Sequence, residues 1–174
     1  MKAYMIHETG AGDWSKIKYL GKKRGILAAI TAFNEKASYS ITTDEKKTDV
    51  YHWRGSKYGI HSCYENDGRN GILVVIVFSD KQLNQQTLVD LVESFYFAKG
   101  PEWNELFAKL RKDAKFVKAL KKISVSPDDE NECLGEMVGE IESMSPGEML
   151  QPKNFAKVKK LIRKSTQSPY SNRS

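Results

Sequence analysis

Three side chains in the middle of the chain, His52, His61 and Cys63, are of the types that hold zinc, because imidazole nitrogen and thiolate sulfur are both good donors to that ion. Read as β-structure, residues 50–64 turn all three toward one side of a sheet. A fourth ligand is missing, and neither a CxxC nor an HxxxH spacing accompanies them, so no metal is assigned and packing in or beside the sheet is expected. As nucleophile and base the pair fails on distance. His61 and Cys63 stand two strand residues apart, about 6.6 Å along the backbone, which exceeds hydrogen-bond reach. Cys63 is therefore expected to be a structural thiol. Gly10, Gly12 and Ser15 form GxGxxS after a strand, a degraded version of the glycine pattern that lets a backbone approach a pyrophosphate. Its third glycine is absent and no helix follows at once, so a plain turn is expected. With no paired carboxylates, phosphate loop or triad, no catalytic residue and no cofactor is assigned.

Charge supplies the remaining candidates. Lys109, Arg111, Lys112, Lys115, Lys118, Lys121 and Lys122 recur along one expected helix and give it a basic face, centred on Lys109, Lys112, Lys115, Lys118 and Lys122. Such a face is solvated, or contacts phosphate groups or an anionic membrane, or receives the chain's own acidic stretch at 128–148. That stretch holds Asp128, Asp129, Glu130, Glu132, Glu136, Glu140, Glu142 and Glu148 without a Lys or Arg, and the sign then reverses at Lys153, Lys157, Lys159, Lys160, Arg163 and Lys164. A second cluster suits nucleic acid: Tyr51, Trp53, Arg54, Lys57 and Tyr58 near Lys22, Lys23 and Arg24, since aromatics stack on bases and cations track phosphates. Against this alternative, the aromatics read as core residues and the net charge of the chain is only +6.

The elements that must position these residues follow from periodicity. The chain has 174 residues, 40% of them hydrophobic, enough for one domain with an appendage. Its longest apolar run, Ile72 to Phe78, is far short of the roughly 20 residues a membrane span needs. Met1 to His7 lacks a signal-peptide pattern, and two cysteines make no disulfide framework, so a cytoplasmic protein is expected, possible membrane contact being peripheral. Strands are expected at Lys2 to His7 and Lys16 to Leu20, then a helix whose inner side carries Ile26, Ile30, Phe33 and Ala37. A hairpin follows with its tip at Gly55 and Ser56, so that Trp53 faces Tyr58 and Tyr51 faces Ile60. Gly71 to Phe78 reads as a central strand covered on both faces. Two helices follow, striped by Leu88, Leu91, Val92 and Phe95, then by Trp103, Phe107, Leu110, Ala114 and Val117 beyond the Gly100–Pro101 break. The expected fold is α+β: a five-stranded antiparallel sheet between one helix and two helices, in the order ββαβββαα. Residues 1–123 form that domain, 124–164 a charged, partly helical appendage, and 165–174 a disordered tail.

This layout, with VYHWRGSKYGIHSCYENDGRNGILVVIVFSD followed by TLVDLVESFYF and PEWNELFAKL, resembles the longin domain of trafficking proteins and adaptor subunits. It is also compatible with a profilin-like or roadblock-like scaffold. The opening MKAYMIHETG is similar to that of medium-chain dehydrogenases, but the chain is too short for that enzyme. The longin resemblance implies a noncatalytic protein-binding module, an adaptor or regulator in vesicle trafficking or small-GTPase control. Its partner would be a coat subunit, a tether or a small GTPase, met through Ile26, Ile30 and Phe33 together with Tyr51 and Trp53. Ser124 to Ser174 shows no sustained heptads, no anchor and no terminal Cys, so a membrane-fusion role is not expected.

Overall fold

Every residue from Ala3 to His7 in Lys2–Glu8 (β1) is buried, so this strand is covered on both faces, while Trp14–Lys22 (β2) mixes buried Leu20 with exposed Lys16. The computed structural model describes residues 1–8, 14–43, 47–65, 73–123 and 144–165. Its further strands are β3 (Ile41–Thr42), β4 (Asp49–Trp53), β5 (Ser56–Glu65) and β6 (Leu73–Ser79). They are ordered β2-β1-β6-β5-β3, with β4 also paired to β5. Because β3 meets β5 at Tyr64 and Glu65 and β4 meets it across the hairpin, the two short strands share the fifth position of a five-stranded antiparallel sheet. The expected sheet is therefore present, with β3 as an addition to the expected strand list. The chain divides into two compact units, Met1–Tyr51 with Gly55–Val92, and His52–Arg54 with Glu93–Ser174.

In the first unit, cross-strand pairing sorts the faces. Ala3 lies opposite Phe78, Met5 opposite Ile76, and Cys63 opposite Val74, so these residues share one side. There α1 (Ile26–Asn34) packs, its Ile26, Ala29 and Phe33 joining Ala3, Met5, Leu20, Cys63, Val74, Ile76 and Phe78 in one core. The opposite side carries Tyr4, Ile6, Ile60, Val75 and Val77, all buried. The Tyr4 hydroxyl accepts a hydrogen bond from the Leu83 amide at 3.1 Å, which ties the approach to α2 (Gln85–Phe97) over that side. Leu88, Leu91 and Val92 of α2 are buried, and Asn84 caps its start by accepting the Thr87 amide at 2.8 Å. The strand expected to be covered twice is β6: Val74 to Phe78 are 0–2% exposed. Each such side chain contributes about 1.5–3 kcal/mol of burial, which is why an unbroken apolar run belongs here and on no edge.

The hairpin turns one residue earlier than expected. Arg54 (φ 47°) and Gly55 (φ 70°) both occupy the left-handed region, the conformation that a two-residue turn needs to match strand twist. The alternation survives the shift: Tyr51 and Trp53 are buried, and Val50 and His52 are exposed.

In the second unit, α3 (Pro101–Leu110) opens with Gly100 at φ 117° and Pro101 in its first turn, a combination that stops one helix and starts the next. Trp103 donates its indole N–H to the Ser94 carbonyl at 2.9 Å and lies close to the Ser94 hydroxyl at 3.0 Å. The basic stretch expected as one helix is two. After Leu110 the chain breaks, and α4 (Ala114–Ile123) begins behind Asp113, whose carboxylate accepts the Lys115 and Phe116 amides at 3.1 and 3.3 Å. A short polar side chain that can satisfy those amides favours a helix start over continuation. Phe116 is consequently the buried residue of α4, and Ala114, expected in the apolar stripe, is exposed. Ser145 and Glu148 close a reciprocal capping box on α5 (Pro146–Leu150), which precedes α6 (Pro152–Ser165). Trp103, Leu106, Phe107, Leu110, Phe116, Met149, Val158 and Ile162 form one core, so residues read from the sequence as an appendage pack with α3 and α4. The acidic stretch up to Ser143 and the residues after Ser165 lie outside the described residues.

Candidate functional site

At one end of the sheet, Lys16 and Lys18 of β2 pair with His7 and Met5 and so face the side that α1 covers. The helix stops short of covering them. Its last turn closes with the Glu35 amide on the Thr31 carbonyl and the Lys36 amide on the Phe33 carbonyl, both at 3.0 Å. Asn34 then folds the next segment back: its Nδ2 donates to the Ile41 carbonyl at 3.1 Å, and its Oδ1 accepts the Ile41 amide at 2.9 Å. This clip sets the Tyr39 ring edge-on against Phe33, centroids 5.4 Å apart, and 6.0 Å from the ring of His7. What remains between β2, the end of α1 and the following loop is a cleft of about 440 Å³, lined by Met5, Lys16, Ile17, Lys18, Phe33, Lys36, Ala37, Ser38 and Tyr39.

Among the described residues three cations and no carboxylate line this cleft, and the Lys18 ammonium lies 5.6 Å from the centre of the Phe33 ring. Like charges gathered in a concavity raise the local concentration of an anion, and the apolar floor of Met5, Phe33 and Ala37 suits a hydrophobic group attached to it. The volume falls in the range of roughly 300–1,000 Å³ typical of ligand clefts. The arrangement can bind; among the described residues the lining holds no nucleophile and base pair.

Of the residues expected to meet a partner, Phe33 alone lines the cleft, and the others stand apart from it. Ile26, Phe33, Tyr51 and Trp53 are 2–5% exposed, and Ile30 is half-buried, because each belongs to the apolar side of its own element. The outer side of α1 instead presents Leu27, 56% exposed. Tyr58 is buried too, and Arg54 stacks 4.2 Å from the centre of Trp53, so these rings offer no open face to a base. Of the basic set, Lys109 belongs to α3, where its ammonium sits 4.8 Å from the Phe155 ring. Lys112 stands in the break, Lys115 and Lys118 are exposed on α4, and Lys122 lies on α4 as well. They do not form one face of one helix. Lys16, Lys18, Lys36 and Tyr39 escaped sequence reasoning; the alternating lysines of Lys16 to Lys18 were the available signal.

His52, exposed, and His61, buried, do not converge as a metal site, and no group of three potential ligands exists among the described residues. His61 is instead held by structure, its Nε2 2.7 Å from the Thr43 hydroxyl and its Nδ1 2.8 Å from the Lys47 carbonyl. Burial pushes the Cys63 thiol up to about 12, as befits a packing residue. Gly10 and Gly12 lie outside the described residues. Among the described residues no helix is long and apolar enough to cross a membrane. Comparison with protein-family models, with curated proteins and with solved structures finds no match.

Proposed function

We propose that this chain is a noncatalytic recognition module, an adaptor or regulator that binds another protein through the lysine-lined cleft beside β2. The observation that carries this reading is the gathering of Lys16, Lys18 and Lys36 around an aromatic floor, with no acidic residue among the described residues of the lining. The partner class, a coat subunit, tether or small GTPase, follows from the resemblance of the sequence to longin domains. On this reading the protein works in the cytoplasm, peripheral to membranes, in vesicle trafficking or small-GTPase control. Charge reversal tests it directly. Full-length chain and a Lys16→Glu/Lys36→Glu variant are immobilised and exposed to cytosolic extract near physiological salt. Proteins retained by the wild type and lost from the variant are expected; an identical retained set defeats the cleft as the contact.

A further inference from the structure

We infer that the occupant of this cleft is an extended acidic segment of a partner protein, added as a strand beside β2 with carboxylates at alternate positions on Lys16 and Lys18. The inference rests on the recognition role proposed above and specifies its ligand. Three observations carry it. First, β2 ends the strand order, and no described strand pairs with its outer side, so its main chain is placed to accept one more strand. Second, Lys16 and Lys18 share a face two residues apart, and a strand lying antiparallel or parallel to β2 presents its own alternate side chains with the same spacing of about 6.6 Å. Acid-x-acid therefore matches lysine-x-lysine without bending either chain. Third, Lys36 and the apolar floor line the same cleft as the two strand lysines, so a third carboxylate and one hydrophobic side chain of the segment have partners there.

The same geometry disfavours other polyanions. Base stacking needs an open ring face, whereas Phe33 is 2% exposed and Tyr39 is already packed edge-on to it. A bilayer presents its headgroups on a plane, and the three cations here surround a concavity.

The test uses the full chain and a fluorescein-labelled ten-residue peptide with Glu at alternate positions and one Phe, read by anisotropy. Saturable binding is expected, weakened about tenfold by Lys16→Glu/Lys36→Glu, whose sites are exposed, with an unchanged melting curve to show the fold intact. N-methylation of alternate peptide amides, which removes the donors a strand needs, is expected to weaken binding about tenfold as well. Equal binding to wild type and variant, no binding, or indifference to N-methylation overturns the inference. So does tighter lysine-dependent binding of phosphatidylserine vesicles or of a uridine oligonucleotide. If the peptide fails while the extract experiment still loses its proteins on charge reversal, the ligand assignment falls and the recognition role stands.

Discussion

Cys63 lies opposite Val74 in the core beneath α1, with none of its surface exposed, and its thiol is raised to about 12 by burial. A raised thiol value means the neutral form is favoured by folding. Its contribution is complete below the unfolded value of about 8.5 and declines as pH rises toward 12. In a Cys133→Ser background, native protein at pH 8 should therefore resist maleimide for hours and react fully in guanidinium; rapid native labelling would show the site open. Phe33 is a different kind of residue, both core and cleft floor. Phe33→Ala should cost about 3–5 kcal/mol in denaturant unfolding, so it reports on stability and cannot isolate binding. The exposed lysines are the cleaner probes.

Two elements depend on single local decisions. The hairpin β4–β5 needs a left-handed residue at Gly55, φ 70°, where a β-branched side chain strains the backbone. Gly55→Val should destabilise the fold by about 1–2 kcal/mol and Gly55→Asn by clearly less, as read from urea midpoints. Asp113 makes the second decision. Besides capping α4, its carboxylate pairs with Lys159 at 2.9 Å and Arg163 at 2.7 Å, joining α4 to α6. Lys159 first and Arg163 second hold that carboxyl well below the usual range. The sign follows: the ion pairs stabilise fully above the unfolded value of about 3.9 and are lost as pH falls through the lower folded value. Melting temperatures at pH 7 should fall in the order wild type, Asp113→Asn, Asp113→Ala, since Asn keeps the cap and loses the charge. As pH falls below the unfolded value of about 3.9 the gap between the wild type and Asn curves should narrow; a gap independent of pH would argue against the ion pairs.

Taken whole, the molecule joins a sheet unit, with α1 on one face, to a helical unit with its own core of Trp103, Phe107, Val158 and their neighbours. Burial holds both cores, and screening by salt acts on exposed charge far more than on buried apolar area. Raising salt from 0.05 to 0.5 M should therefore weaken peptide binding at the cleft by an order of magnitude or more while thermal melting moves little. Anisotropy titrations beside thermal melts check this. Salt-independent binding would point to the apolar floor alone.

Local pattern was enough for much of the fold. An unbroken Val74 to Phe78 run could be buried only between two layers, Ile26 and Phe33 marked the inner side of a helix, and Gly100 with Pro101 marked where one helix yields to another. These features depend on neighbours a few residues away, so the sequence carries them by itself. Whether the basic stretch ran on as one helix was less legible, because Asp113 ends a helix only when its carboxylate finds the amides of the next turn. The cleft was not legible at all. Lys16 and Lys18 sit on a strand, Lys36 and Tyr39 on a loop, and Phe33 on a helix, and each alone reads as solvated or core. Only tertiary packing, through the β1–β2 pairing and the Asn34 clip on Ile41, brings three cations of like sign around one aromatic floor. Charge convergence across elements is a property of distance in space, and a linear pattern does not encode it.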